Sequence, residues 1–474
     1  MSALWTAAEL RAATGGSLAE EIAATGVSID SRCLAPGDLF VALRDTRDGH
    51  DFVADALARG AAAAMVDRDP PGVAADAPLL RVADTLAALR ALGAAARARS
   101  AARFVAVTGS VGKTTTKELL RVALGALGPT HAAAASHNNQ WGVPLTLARL
   151  PRDARFAVIE IGMNSRGEIE PLARLARPHV AIITTIGTSH LGRLGSQAAI
   201  AEEKGDILLG LVKDGVAVLP ADSPFYLRLA ERAAEAGARV ISFGEGARAD
   251  VQMTDYVGAA DRGTARLLMD GLPLSLHLGA PGQHIAMNAC AALAAVHALG
   301  GDVVAAAEAL SGFDAGAGRG ARVRIDLPGG PALLLDDSYN AAPNSIRAGL
   351  AVLAAQPAGR RLVALGDMLE LGEAGPGLHA GLAPDVAAVA DLVFCCGPLM
   401  RHLFEALPEE KRGAHLPDSA TLGAMVAAAL APGDAVLVKG SLGSRMAAVV
   451  AAIKARARDA AGAPSRDAGQ GSVA

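Results

Sequence analysis

At 474 residues the chain is too long for one ordinary core, and a prior of about 150 residues per domain points to two or three domains. Hydrophobic residues make up 51% and aromatics only 3%, so the cores must be filled by Ala, Val, Leu and Ile. A net charge of −4 without any basic run leaves no electrostatic footprint for nucleic acid or anionic lipid, and the four cysteines, with no C-x-x-C spacing, imply neither a zinc site nor a disulfide framework and fit a reducing cytoplasm.

The opening stretch 1–16 carries Glu9 and Arg11 where a secretion signal needs an unbroken apolar core, and no apolar run elsewhere reaches membrane-spanning length. No nucleic acid partner and no membrane insertion are expected. Residues 1–98 alternate short strands (38–43, 62–67 and 79–82) with Ala-rich helices, the last of them an Arg-rich helix over 85–99, and read as a small α/β domain. Residues 99–313 carry near-continuous apolar strands at 104–107, 156–160, 180–186 and 216–219, the mark of strands buried on both faces of a mostly parallel sheet. Ligands of such sheets gather at the strand C-terminal ends. A glycine-rich passage over 312–320 leads into a third segment, 314–474, with strands at 332–335, 361–365, 392–394 and 435–438 in a second, smaller open sheet. Gly316, Gly318 and Gly320 follow no strand, so they read as an interdomain turn rather than a dinucleotide fingerprint. The tail from about 458 has a disordered composition.

The run 104–118, FVAVTGSVGKTTTKE, is a strand, a glycine turn and a helix start. Unpaired N–H groups at a helix N-terminus favour phosphate, and Gly109 and Gly112 let the backbone close around it, so Thr108, Gly109, Ser110, Val111, Gly112, Lys113, Thr114 and Thr115 form a triphosphate cradle. Lys113 can reach the β/γ-phosphates and the Thr114 hydroxyl can take a Mg²⁺ position. Val107 stands where the common phosphate loop has glycine, so the compressed T-G-x-x-G-K-T-T form marks a particular branch of such enzymes. Glu160 ends a buried strand at the same sheet edge, where it can coordinate Mg²⁺ or serve as a helix-capping or salt-bridged residue. His190 follows the strand AIITTIG to that edge, and taken alone it is as consistent with a structural histidine as with a ligand. Lys204, among Glu202, Glu203 and Asp206, has the pattern of a solvated lysine in a charged helix face. The segment HNNQWGVP (137–144) is an ordered polar loop whose Asn138 and Asn139 can bind a substrate phosphate or acyl group, or simply shape a turn. GQHIAMN (282–288), Arg319 and DDSYN (336–340) are further pieces able to complete a nucleotide site, since arginine neutralises a transferring phosphoryl group and Asp at a strand end can hold ribose hydroxyls.

In this order the pieces resemble a Mur ligase over nearly the whole chain. The resemblance is carried by IDSR (29–32), PGDLFVAL (36–43), DGHDF (48–52), TGSVGKTTTKE, NNQWGVPL, EIGMN followed by GEI, the H-L pair at His190, the Lys204 helix, DDSYNA, GDMLELGE (366–373) and VKGS (438–441). DDSYNA and GDMLELGE point to the branch that joins D-alanyl-D-alanine to UDP-N-acetylmuramoyl-tripeptide. The chain departs from the family pattern at Arg44, where glycine is usual, at Ile285, where Asn is common, and at Ala342, where the second Asn of NANP stands. The resemblance implies a three-domain α/β protein: a small N-terminal domain holding the UDP end of the substrate, a central P-loop-type ATPase domain with a mostly parallel sheet, and a C-terminal Rossmann-like domain. It implies ATP as substrate, two Mg²⁺ ions held by Thr114, Glu160, His190 and Lys204, and Lys204 carbamylated. Lys113, Lys204 and Arg319 would be catalytic, Asn288, Arg319 and Asp337 would contact the nucleotide, Ser31 and Arg32 would line the uridine pocket, and Asn138, Asn139, Tyr339 and Asn340 would meet substrate. An acyl-phosphate route to an amide, run by a cytoplasmic monomer, is the expected activity. The alternatives are another Mur-type or folylpolyglutamate-type amide ligase, or a P-loop NTPase switch.

Overall fold

The computed structural model describes residues 3–462. Its N-terminal unit holds a four-stranded parallel sheet, Gly26–Ser28, Asp38–Val41, Ala63–Val66 and Leu79–Arg81 in that spatial order. Asp84 caps the helix Thr85–Arg99 by accepting from Ala87 N, and this helix buries Leu89 and Leu92 beside Leu39, Val41, Met65 and Leu80. Leu145 and Ala148 enter the same core from the helix Gly142–Ala148. The polar loop 137–141 is therefore tied by its own helix to the N-terminal unit.

The central unit is a nine-stranded sheet. From one edge, Thr130–Ala132, Phe156–Glu160, Arg103–Thr108, Val180–Ile183, Val216–Pro220, Arg239–Gly244 and Val251–Gly258 run parallel, and Gly263–Met269 and Leu272–Leu278 then continue antiparallel. Every residue of Phe156–Glu160, Val180–Ile183 and Val216–Pro220 is buried, as continuous apolar runs require when helices cover both faces. The antiparallel end was absent from the sequence reading. Its strand Gly263–Met269 alternates buried and less buried residues, and its final turn passes through Asp270 and Gly271 at φ 51° and 75°, the paired positive angles of a tight hairpin.

The C-terminal sheet has six strands in the order Ala321–Leu327, Gly330–Asp337, Ala435–Lys439, Arg361–Gly366, Leu392–Cys396 and Arg412–Leu416, all parallel except the first pair. Helices cover both faces around separate cores, one built on Ile346, Leu365 and Met368, the other on Leu422, Val438 and Val449. The helix Ala447–Gly462 runs past residue 458, where the sequence reading began its disordered tail, because Val449, Val450 and Ile453 pack it onto the sheet. The rest of that expected tail, 463–474, lies outside the described residues. Among the described residues no helix is long and apolar enough to cross a membrane. The four cysteines, Cys33, Cys290, Cys395 and Cys396, are free.

Candidate active site

The strand Arg103–Thr108 pairs in parallel with Phe156–Glu160 in a register that puts Val107 opposite Glu160, so the phosphate-loop candidate and the carboxylate leave the sheet side by side. Gly109 has φ 149° and a side chain there would come within 1.9 Å of Thr184 Oγ1; Gly112 has φ 89° and a Cβ would come within 2.6 Å of Asn288 Oδ1. At Gly109 there is no room for a side chain, and at Gly112 the positive φ and Asn288 together favour glycine. The loop is strapped to the segment after Val180–Ile183: Ser110 N donates to Thr185 O at 2.8 Å, Gly187 N donates to Ser110 Oγ at 2.8 Å, and Thr184 Oγ1 donates to Val111 O at 2.5 Å. The helix Lys113–Gly125 then begins without a side-chain cap and with no acidic residue in its first turn, which leaves its N–H groups and positive end open to an anion.

Lys113 folds back over the loop and donates to Gly109 O at 2.7 Å. Burial lowers its pKa, with repulsion from Arg319 acting the same way and Glu160 and Glu370 opposing. Thr114 Oγ1 lies 3.0 and 2.9 Å from the two oxygens of Glu160, which is only 2% exposed. Asn138 Nδ2 donates to Glu160 Oε1 at 2.8 Å. Ser136 Oγ sits 3.2 Å from Thr114 Oγ1 and accepts from Arg319 Nη2 at 2.9 Å. Arg319, emerging between Gly318 and Gly320 of the interdomain turn, stacks over Tyr339 with its guanidinium carbon 4.1 Å from the ring centre. Lys113, Thr114, Asn138, Glu160 and Arg319 thus converge from four separate segments. Asn288 meets them through its contact with Gly112.

Lys204 departs from the solvated reading. It is fully buried, its Nζ has no hydrogen-bond partner, and burial together with repulsion from Lys113 pushes its pKa well below the ordinary lysine range. Glu203 beside it is also occupied, accepting from Gly167 N, Glu168 N and Ile169 N at 2.8 to 3.1 Å where the helix Ile169–Ala176 begins. His190 has φ 66° and places Nδ1 2.5 Å from Glu370 Oε2 of the C-terminal unit. Asp337 is held by Lys439, whose buried Nζ donates to Asp337 Oδ2 at 2.6 Å and to Asn340 O at 2.9 Å. Burial raises the Asp337 pKa against the pull of Lys439 and Arg319.

Other expected residues lie apart or serve local structure. Asn139 accepts from Gly142 N at 2.9 Å, which is the ordinary turn reading, and Asn340 Oδ1 accepts from Ala341 N at 2.9 Å. Thr108 is buried at the strand end without a hydrogen-bond partner for its hydroxyl, and Thr115 follows in the first turn of the helix. Ser31 and Arg32 line a cavity of about 280 Å³ in the N-terminal unit with Arg44, Arg47, Phe52 and, from the polar loop, Trp141. Ser136, Trp141, Glu370 and Lys439 were not assigned roles from the sequence. The last three stand inside the quoted motifs NNQWGVPL, GDMLELGE and VKGS, while Ser136 directly precedes the HNNQ run, so position beside a motif was the available signal.

Among the described residues no three of His, Cys, Asp and Glu cluster as a metal cage. Thr114 and Glu160 do offer an oxygen pair, the kind of partial site Mg²⁺ occupies when phosphate and water oxygens complete the shell. Lys204 fits a carbamate, because a buried, unpartnered amine whose charged form is disfavoured is more reactive toward CO₂ and in need of partners.

Three layered α/β units, with a phosphate-loop candidate in the second and Arg319 of the third reaching it, have the layout of an ATP-dependent ligase. The Mur ligase family catalytic domain matches residues 23–99, the Mur ligase middle domain 107–296, and the Mur ligase glutamate ligase domain 318–442. A UDP-N-acetylmuramoyl-tripeptide--D-alanyl-D-alanine ligase of Synechocystis sp. is 36% identical over 92% of this chain and 94% of its own length. Among solved structures, MurF from Acinetobacter baumannii superimposes with a TM-score of 0.82 at 33% identity, covering 95% of this chain and 99% of that one. The MurF ligase of Thermotoga maritima in complex with ADP superimposes with a TM-score of 0.77 at 25% identity, covering 92% and 98%. The chain belongs to the Mur ligase family, in its D-alanyl-D-alanine-adding branch.

Proposed function

We propose that the chain uses ATP to activate the terminal carboxylate of UDP-N-acetylmuramoyl-tripeptide and joins it to the amine of D-alanyl-D-alanine, as a cytoplasmic monomer serving peptidoglycan synthesis. The observation that carries this reading is the convergence of Thr114 and Glu160 of the central unit with Arg319 of the C-terminal unit around Ser136. A nucleotide bound there touches both units.

The amides of 109–114 and the Lys113 ammonium hold the β- and γ-phosphates, and Arg319 neutralises charge on the γ-phosphoryl group. Thr114 and Glu160, with His190 and a carbamylated Lys204, would hold two Mg²⁺ ions, which when bound offset phosphate charge. A carboxylate oxygen of the tripeptide attacks the γ-phosphorus in line, the bond to the β-phosphate oxygen breaks, and ADP leaves. The dipeptide amine, with an α-amino pKa of about 7.7 to 8.0, then attacks the acyl carbon, loses its proton and expels inorganic phosphate as the amide forms. Asn288 and Asp337 contact the nucleoside, Tyr339 backs Arg319, and Asn138 holds Glu160 in place. Ser31 and Arg32 take the UDP end of the substrate in the N-terminal cavity, some distance along the polar loop from the phosphates. Residues 1–98, 99–313 and 314–474 divide these tasks.

Phosphate release measured with UDP-N-acetylmuramoyl-tripeptide, with and without D-alanyl-D-alanine, tests this. Release that requires both, with the amide product formed in equal amount, is expected; release indifferent to the dipeptide would point to a nucleotide switch instead.

A further inference from the structure

One turn beyond Lys113 and Thr114, and on the same face of the helix Lys113–Gly125, stands Lys117. It is fully buried, yet its side-chain nitrogen is well supplied with oxygen. Nζ donates to Ala133 O at 2.6 Å, approaches Ala135 O at 3.5 Å and pairs with Glu118 Oε1 at 2.8 Å. Glu118 is also bonded by Arg121 Nε at 2.7 Å. Burial alone would raise the Glu118 carboxyl, and the bonds from Lys117 and Arg121 hold it below its usual range, so a counter-charge stands ready beside the buried amine.

The two carbonyls belong to a stretch with few other holds. The edge strand Thr130–Ala132 pairs with Phe156–Glu160 through three residues, the last pair being Ala132 with Val158. Among the described residues, the backbone of 133–137 is then bonded to the rest of the central unit, outside its own turns, through Lys117 alone, until Gly162 N donates to Asn138 O at 2.8 Å. Ser136 lies inside this stretch. Its hydroxyl meets Thr114 Oγ1 at 3.2 Å and Arg319 Nη2 at 2.9 Å, so the phosphate-loop helix and the C-terminal unit share one oxygen atom there. The helix thus grips the stretch at two points a turn apart: through Thr114 at Ser136, and through Lys117 at Ala133 and Ala135.

We propose that Lys117 is a positioning residue of the nucleotide site: by holding the carbonyls of Ala133 and Ala135 it fixes the backbone leading into Ser136, and so sets the Ser136 hydroxyl where Thr114 and Arg319 meet. What Thr114 and Arg319 do at that point rests on the ligase reading above; the grip on 133–135 does not. Lys117 acts only through Ser136. A hydroxyl displaced by about 1 Å no longer spans both partners, and a misplacement of that size costs a catalytic site as much as about 100-fold in rate.

Lys117→Met, Ser136→Ala and the double variant, each in the full chain, test this. Methionine keeps the stem of Lys117 and removes its donors, while Glu118 remains partly exposed and bonded to Arg121, so no carboxylate is stranded and the variant is expected to fold with a lowered unfolding midpoint. Hydrogen exchange in peptides covering 133–138 is expected to quicken in Lys117→Met, with 156–160 as protected as in wild type. The kcat/KM for ATP is expected to fall about 10-fold or more in each single variant, and Ser136→Ala to cost less than about 3-fold further once Lys117 is gone, because the two residues act as one unit. KM for the UDP-linked substrate is expected to move less than about 3-fold, since Asn138, bonded to Gly162 N and Glu160, stands between Ser136 and Trp141. Losses that simply multiply in the double variant overturn the proposal, as do unchanged exchange over 133–138, a wild-type kcat/KM in Lys117→Met, or a KM for the UDP-linked substrate that rises as much as kcat/KM for ATP falls. A Lys117→Met chain that fails to fold overturns it too, since the residue would then serve the fold rather than the placement of Ser136. An inactive wild type whose Lys117→Met variant still loosens 133–138 sinks the ligase reading while upholding the grip.

Discussion

Replacing Lys204 by methionine should stabilise the protein while abolishing its activity. The Lys204 amine is fully buried and bonded to nothing, and burial and Lys113 both disfavour its charged form. A buried amine without partners costs about 1–3 kcal/mol relative to an apolar group of similar shape. Methionine has nearly the same length and no polar head. For a cooperative unit of about 200 residues, 1 kcal/mol moves the unfolding midpoint by about 2–4 °C, so Lys204→Met should unfold about 2–12 °C above wild type. The comparison belongs in CO₂-stripped buffer without nucleotide, followed by scanning calorimetry, where the central unit carries the transition. Adding bicarbonate, Mg²⁺ and ATP should then raise the wild-type midpoint more than the variant's, because only lysine can take up CO₂ and acquire oxygen partners. Lys204→Ala should be inactive and partly rescued by small carboxylates. A Lys204→Met midpoint at or below wild type in the stripped buffer would refute the reasoning, since it would mean that Nζ is satisfied after all.

Gly112→Ala should weaken ATP binding by at least about 10-fold in titration calorimetry, since the new Cβ meets Asn288 Oδ1 at 2.6 Å on a backbone already at φ 89°; unchanged affinity would show that the loop can relax. Ser136→Ala removes the hydroxyl shared by Thr114 and Arg319, a bond to a charged group worth about 1.5–3 kcal/mol, and should lower kcat/KM for ATP about 10-fold or more while also lowering the unfolding midpoint. His179 is held near a pKa of about 4 by burial and by Arg103, Arg97 and Arg177, while its Nδ1 accepts from Phe104 N at 2.9 Å. The unfolded chain binds a proton there near pH 6.5 and the native chain does not, so this contribution is complete above about 6.5 and stability falls as pH drops toward 4, by about 1–2 kcal/mol once partial exposure is discounted. Urea midpoints at pH 7 and pH 4.5 should therefore differ less in His179→Asn than in wild type, and equal differences would remove His179 as the cause.

The phosphate loop was legible because its determinants are contiguous: two glycines, a lysine and a threonine act on one another within a few residues, so no tertiary knowledge is needed. Glu160 was legible for a related reason, since a charged residue ending a run such as FAVIE has nowhere to go but the sheet edge, and parallel register brings it beside Val107. Lys204 was misjudged on local pattern because its acidic neighbours are drawn elsewhere: Glu203 to the amides at 167–169, Glu202 and Asp206 to Arg232. Charge spacing on a helix does not reveal which face the helix buries. Ser136 and Glu370 stood beside or inside quoted motifs, but what they do was not readable there, since each meets partners from distant segments, Ser136 with Thr114 and Arg319 and Glu370 with His190. The antiparallel strands at 251–278 did carry a local sign, alternation closed by Asp270-Gly271, which the reading passed over in favour of the stronger apolar runs.

Between Ser136 and Trp141 six successive positions span from the Thr114–Arg319 cluster, through Asn138 on Glu160, to the wall of the N-terminal cavity. A compound that lodges in that cavity and displaces Trp141 is expected to disturb the Thr114–Glu160–Arg319 cluster at the other end of this segment. Its inhibition should be of mixed type toward ATP, and thermodynamic reciprocity requires ATP to change the compound's affinity by the same factor. Screening for such compounds with nucleotide present would then sample a different pocket from the one seen by the empty enzyme.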